Sequence, residues 1–168
     1  MTEPGKKNQN HGAEREIGEL KKRWRRRRLK KDASHRVWDY GVVCETKLMS
    51  RHARCPDGRT GQTGFEKVTG NIPDTSKWCD FEFYDLVWHC LHGKLTKENK
   101  ATELGLWLGV PHRVGSNMSH WILPKSSIVV FHTTVQHITR EDQAIPNCRD
   151  NVTQFLADVQ LRQLGVED

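Results

Sequence analysis

Nine of the eleven residues from Lys21 to Lys31 are Lys or Arg, and this run constrains the fold more than any other feature of the 168-residue chain. The formal net charge is +6, so the rest of the chain sums to 6 − 9 = −3. Cations packed into three helical turns form an element suited to a polyanion. A solvated helix face and a nuclear-localisation signal are the alternatives for such a run. The nine candidate nucleic-acid-binding residues are Lys21, Lys22, Arg23, Arg25, Arg26, Arg27, Arg28, Lys30 and Lys31.

The run belongs to a pattern that predicts a helix over residues 13–31, because apolar side chains recur at i, i+3 and i+7. Like charges four residues apart, such as Lys21 and Arg25, destabilise an isolated helix, so a bound polyanion is expected to stabilise this one. The apolar spacing favours a core position for Trp24 over stacking on a nucleic-acid base. The three apolar residues are Ile17, Leu20 and Trp24.

The composition limits the size of the hydrophobic core, and the absence of targeting segments bears on the cellular location. Hydrophobic residues make up 35% of the chain and charged residues 29%, so only part of the chain is expected to build a packed core. No signal peptide is recognisable in the first sixteen residues, and the longest apolar stretch, near residues 104–110, is too short to cross a membrane. We therefore expect a protein that is not secreted and has no membrane partner, with its five cysteines reduced.

The pattern beyond the basic run predicts further helices and a set of short strands. A second helix is expected from Ser34, its N-cap, to Arg54, and a single helical turn is expected to stop at Gly70. Runs rich in aromatic and β-branched residues predict strands, two of which form a hairpin through residues 124–127. The predicted strands are 81–88, 104–110, 118–123 and 128–134, and an amphipathic helix is predicted over 147–164.

A series of short motifs follows in a definite order along residues 8 to 140. The motifs are Asn10-x-x-Ala13-Glu14-Arg15, the basic helix, Arg36-Val37-Trp38-Asp39-Tyr40, Thr63-Gly64-Phe65-Glu66-Lys67-Val68-Thr69-Gly70-Asn71-Ile72-Pro73-Asp74, Phe81-Glu82-Phe83-Tyr84, Leu104-Gly105-Leu106-Trp107-Leu108-Gly109-Val110, and Ser127-Ile128-Val129-Val130-Phe131-His132-Thr133-Thr134-Val135. In this order the chain resembles the integrase region of copia-type retrotransposon Pol polyproteins, from the end of the catalytic core into the following small β module.

The resemblance implies an α+β fold. It would consist of a helical remnant of an RNase H-like integrase core, a small antiparallel β-barrel-like module and a C-terminal helix. Since the chain lacks the central sheet of such a core, we expect the apolar face of the helices to be uncovered and the protein to be poorly soluble. The implied division is a leader (1–9), the helical end of the core (10–56), a linker with a short helix (57–78), the β module (79–140) and a helical tail (141–168).

The resemblance also implies a chemistry and a set of partners. The family joins DNA with two aspartates and a glutamate that hold two Mg²⁺ ions, and Glu14 matches the glutamate. Thirteen residues precede Glu14 and none is Asp, so the isolated chain is expected to hold no cofactor and to be inactive. The implied partners are a DNA or RNA backbone, an integrase oligomer or the remainder of a Pol polyprotein, in the nucleus or in a cytoplasmic particle of the element. Contacts to six to nine phosphates would weaken binding by about 10³–10⁵ between 50 and 200 mM salt.

Two other classes of function stay open. One is a non-enzymatic module whose β part binds a protein or chromatin partner while the basic run directs nuclear import. The other is an active integrase or nuclease that receives two further acids from another chain. A zinc site built from His52, Cys55 and the His89-Cys90-x-His92 segment is disfavoured because the spacing does not fit one. The tryptophans at 78, 88, 107 and 121 are expected in the core rather than in a ligand cage.

Overall fold

The computed structural model describes residues 11–52, 61–90, 102–111 and 119–163, which combine helices with one antiparallel sheet. The helices are α1 (His11–Lys31), α2 (Trp38–Arg51), α3 (Gly64–Thr69), α4 (Ser76–Cys79), α5 (Arg140–Ala144) and α6 (Pro146–Gln163), with a 3-10 helix at His35–Val37. The strands are β1 (Leu86–Cys90), β2 (Thr102–Gly109), β3 (His120–Pro124), β4 (Val130–His132) and β5 (Val135–His137). The expected mixture of helices with a small antiparallel sheet is confirmed, and the sheet curls into a half-barrel.

Local chemistry explains where the helices begin and end. The Ser34 hydroxyl accepts a hydrogen bond from the Arg36 backbone N–H at 3.2 Å, as predicted for an N-cap, although the turn that it caps is the 3-10 helix before α2. Thr63 and Glu66 form a capping box at the start of α3, and Gly70 ends that helix with a φ of +72°. The expected end of the second helix near Arg54 lies outside the described residues.

The strands pair in the order β4-β3-β2-β1-β5, and every pair is antiparallel. The predicted hairpin is confirmed, with Trp121 of β3 opposite Phe131 of β4. The predicted strand over 81–88 is wrong in its first half. Residues 81–85 form a turn there, because the Asp85 carboxylate accepts the Glu82 backbone N–H at 2.7 Å and Tyr84 adopts a φ of +70°. Short strand β5 was not predicted.

The connection between β4 and β5 forces the sheet to curl. These two strands are at opposite edges of the sheet, yet only residues 133 and 134 separate them. A flat five-stranded sheet would be about 19 Å wide, whereas three Cα–Cα steps reach about 11 Å at most. The curl brings His132 of β4 next to His89 of β1, with their ring centroids 4.4 Å apart.

The helices and the sheet share one hydrophobic core, so the expectation of an uncovered helical face is wrong. Cys44 of α2 is buried in the same cluster as Trp107 of β2 and Phe155 of α6. Trp24 of α1 packs edge-to-face on Phe83 with their centroids 5.3 Å apart, which confirms its predicted core position. The antiparallel sheet thus covers the apolar face of the helices.

Acid is expected to destabilise the protein through His89, whose residue surface is only 1% exposed. Burial, together with neighbouring His132, lowers the pKa of His89 from 6.5 to about 4. Between pH 6.5 and pH 4 the His89 imidazole is therefore protonated in the unfolded chain but mostly neutral in the folded protein. The free energy of unfolding should consequently fall by about 3 kcal/mol from pH 7 to pH 4. Urea titrations across this range should show a weaker pH dependence for His89→Gln. Equal pH dependence in both proteins would contradict the assignment to His89.

Candidate nucleic-acid interface

Helix α1 has two sides of different electrostatic character. At 100° per residue, the cations at 23, 27, 30 and 31 fall on the side that also carries Trp24. The remaining cations of the run fall within about 160° of arc on the other side. The core contact of Trp24 with Phe83 sets the rotation of the helix, because it holds one side against the protein. The nine cations of the run are thereby divided into two groups.

Two of the cations on the Trp24 side of α1 are paired with glutamates on helices. Arg23 Nε lies 3.2 Å from Glu19 Oε1, one turn earlier in α1. Arg27 forms an ion pair with Glu45 of α2, whose side chain is 3% exposed. A buried carboxylate requires a cation as partner. Arg27 is therefore committed to the interior of the protein and is a poor candidate for binding an external phosphate.

The other two cations on the Trp24 side of α1 are paired with the turn that precedes β1. Lys30 Nζ lies 3.1 Å from a Glu82 carboxylate oxygen, and Lys31 Nζ lies 2.9 Å from the same oxygen. Lys31 also contacts Asp85 at 2.6 Å. Hydrogen bonds from Lys31 and Lys30 lower the pKa of Glu82 to about 2. Burial opposes the charged form of Lys31, but Asp85 and Glu82 outweigh it, and the pKa of Lys31 is raised.

Five cations on the other side of α1 form what we call the outer stripe: Lys21, Lys22, Arg25, Arg26 and Arg28. Four are exposed and Arg28 is half-buried. In the part of the chain that the structure describes, no carboxylate forms an ion pair with any of the five. They occupy about 10 Å of helix axis, a length over which duplex DNA carries about six phosphates. The outer stripe therefore matches a nucleic-acid backbone in charge density, and no described carboxylate neutralises it.

The proposed metal-binding acid is in a different position. Glu14 is exposed in the first turn of α1, about two helical turns before the outer stripe. Within the described ranges, no three His, Cys, Asp or Glu side chains are grouped so that they could hold a metal ion. This covers His52, His89 and Cys90, whereas Cys55 and His92 of the zinc hypothesis lie outside the described residues.

Lys47 of α2 is a buried cation that the sequence did not single out. Its ammonium donates a hydrogen bond to the Val110 carbonyl at 2.7 Å and lies 5.4 Å from the Trp78 ring and 5.5 Å from the Trp121 ring. Burial, reinforced by Arg51, lowers the pKa of Lys47 to about 8. Of the four tryptophans expected in the core, Trp107 is almost fully buried, Trp78 and Trp121 are partly buried against the core while they contact Lys47, and Trp88 is half-buried.

The sequence also missed the acids that pair with the basic run. Glu45, Glu82 and Asp85 lie 18, 52 and 54 residues from their partners, so no helical spacing could have revealed them. Among the described helices, none is long and apolar enough to cross a membrane. Comparisons of the chain with protein-family models, curated proteins and solved structures find no match.

Proposed function

We propose that this protein binds the phosphate backbone of DNA or RNA, without sequence preference, through the outer stripe of α1. The observation that carries the proposal is the division of the basic run: among the described residues, four cations are paired with carboxylates and five are not. Uncompensated cations repel one another at i, i+3 and i+4. A bound phosphate backbone relieves this repulsion. The cations in turn displace counterions from the nucleic acid, and this release favours binding.

Salt dependence tests the proposal directly. Five phosphate contacts predict a slope of about −4.5 for log K against log salt concentration, so affinity should fall about 10²–10³-fold between 50 and 200 mM salt. This is less than six to nine contacts would give, because part of the run is already paired. Fluorescence anisotropy with duplexes of unrelated sequence measures it. A slope near zero, or affinities that differ widely between sequences, would contradict backbone binding.

A more specific proposal concerns ancestry. We propose that residues 10–56 descend from the helical end of an RNase H-like integrase core, and that Glu14 is the former third acid of its active site. Support comes from the ordered motifs that resemble copia-type integrases and from the position of Glu14 in a first helical turn, where a carboxylate is favoured by the helix dipole. Mg²⁺ would bind only with two further aspartates supplied from elsewhere, and the expected location is nuclear.

The genomic sequence upstream of Met1 tests this ancestry. An adjoining frame that encodes the two missing aspartates on predicted strands would support it and would make the remainder of a Pol polyprotein the natural partner. An unrelated coding sequence in the same frame would contradict it.

The alternative function is a protein- or chromatin-interaction module. The observation that favours it is the exposure of apolar side chains on the β3–β4 hairpin, with Ile128 70% and Phe131 51% exposed. Because helices and sheet share a core, the isolated segment 60–140 is unsuitable for testing it, and point variants of the whole chain are required.

A further inference from the structure

A groove at the inner edge of the basic helix contains both free and paired cations. It has a volume of about 240 Å³ and is bordered by α1, by α2 and by the turn before β1. Four cations and two carboxylates line it: Arg23, Arg26, Arg27, Lys30, Glu45 and Glu82. The charges of the lining residues sum to 4 − 2 = +2, so the groove retains positive charge even with both carboxylates present. An anion is the ligand that such a groove favours.

The two carboxylates of the groove differ in how firmly they are held. The Glu45 carboxylate is buried and paired with Arg27, so breaking this ion pair would leave an unpaired charge in the interior. The Glu82 side chain is 51% exposed, and its ion-pair partners among the described residues are Lys30 and Lys31. Solvent screens the ion pair with Lys30, whose side chain is 67% exposed, more than the pair with Lys31, whose side chain is 22% exposed. Glu82 can therefore leave the groove more easily than the buried Glu45.

The backbone of the turn does not depend on the Glu82 side chain. The Glu82 N–H donates to the Asp85 carboxylate at 2.7 Å, and the Asp85 N–H donates to the Glu82 carbonyl at 3.0 Å. Asp85 also keeps its own contact with Lys31. Release of the Glu82 carboxylate therefore frees Lys30 without unfolding the turn.

The contacts of Glu82 are those that a phosphate would make. Two ammonium groups at 3.1 and 2.9 Å converge on one anionic oxygen, and Arg26 lines the same groove with no carboxylate paired to it among the described residues. A phosphodiester offers two anionic oxygens with charge-assisted hydrogen bonds of similar length. The position of the carboxylate thus marks where a phosphate oxygen can be bound.

We propose that this groove is a phosphate site of the nucleic-acid interface, and that Glu82 occupies it in the free protein as a competing internal anion. The inference rests on the proposed function and adds a built-in limit to it: a nucleic acid must displace Glu82 before Lys30 can contribute a phosphate contact. The outer stripe binds first, and the groove strengthens binding only after this exchange.

The variant Glu82→Gln tests the competition. It keeps the size of the side chain and removes its charge, so affinity for a duplex at 100 mM salt should rise about fivefold to tenfold for each phosphate contact released. The slope of log K against log salt should become steeper by about 0.9 per contact. Anisotropy titrations of the full chain measure both quantities, and thermal unfolding of each variant verifies that it is folded.

A matched control separates local competition from net charge. Glu103→Gln makes the same change of charge at an exposed position on β2 that forms no ion pair with α1 in the described residues, and it should change affinity less than twofold. Lys30→Gln added to Glu82→Gln should abolish most of the gain. If Glu82→Gln and Glu103→Gln change the affinity equally while the parent protein binds as proposed, the groove is not a phosphate site. The proposal that the outer stripe binds nucleic acid would still hold. Absence of binding by the parent and by Glu82→Gln at 50 mM salt would overturn both.

Discussion

Neutralising the outer stripe is expected to reduce affinity for duplex DNA about 10³-fold or more at 50 mM salt, because each lost phosphate contact removes about a tenfold gain from counterion release. The variant carries glutamine at all five stripe positions. Glutamine is a good helix former, and the substitutions remove like-charge repulsion, so α1 should remain folded. Anisotropy titrations with labelled duplex and single strands measure the loss, and circular dichroism monitors the helix.

A control variant with the same net charge as the stripe variant distinguishes binding through the outer stripe from binding through overall charge. Five exposed cations outside α1 can be changed to glutamine instead, which gives the same formal charge of 6 − 5 = +1. These are Arg36, Lys67, Lys125, Arg140 and Arg149. The control should lose less than tenfold in affinity. If both variants lose affinity equally, the protein binds through its overall charge, and the proposed interface is wrong.

The same titrations discriminate against the interaction-module alternative. Under that alternative, the exposed apolar residues of the hairpin bind the partner and the stripe only directs import. Phe131→Ser would then abolish partner binding while nucleic-acid binding was negligible in the parent protein. A parent that binds duplex DNA with a steep salt dependence, unaffected by Phe131→Ser, favours the outer stripe.

Replacing Arg27 with methionine is expected to lower the free energy of unfolding by about 3–5 kcal/mol, because the buried carboxylate of Glu45 would lose its cation. Methionine retains much of the volume of arginine, so lost charge rather than a cavity dominates the effect. The Glu45 side chain is 3% exposed, and Arg27 is its ion-pair partner among the described residues. Urea unfolding at pH 7, followed by tryptophan fluorescence, measures the change.

Two further variants test the physical cause. Arg25→Met alters a cation of the outer stripe in the same helix and should shift the free energy of unfolding by less than about 0.5 kcal/mol. Combining Arg27→Met with Glu45→Leu removes both charges and should recover most of the lost stability. If Arg27→Met unfolds as easily as Arg25→Met, Glu45 is not held by Arg27 and the two-sided description of α1 fails.

Local patterns in the sequence were sufficient for several elements. The apolar spacing predicted α1 and the core contact of Trp24, because a 3.6-residue period places such side chains on one face, although Ile17 at the start of the pattern is 51% exposed. Gly70 predicted the end of α3, since a helix often closes with a left-handed residue that glycine adopts without a steric penalty. The β3–β4 hairpin followed from two apolar runs separated by turn residues.

Elements that are stabilised by residues far away in the chain could not be predicted from the local sequence pattern. Strand β5 has three residues and exists because β1 pairs with it, so its own composition carries almost no signal. The turn over 81–85 replaced a predicted strand because the Asp85 side chain competes for the Glu82 backbone N–H. The expectation of an uncovered helical face failed because no pattern within the helices reveals which sheet will cover them.

The sequence by itself determined that a dense run of cations lies on one helix with Trp24 at its apolar side. It could not decide which of those cations are available to a ligand, because charge is a property of each residue but neutralisation depends on what folding places beside it. The tertiary structure determines which cations are neutralised, because folding places Glu45 against Arg27 and the Glu82–Asp85 turn against Lys30 and Lys31. Pairs that span 18 to 54 residues form only when the chain closes on itself.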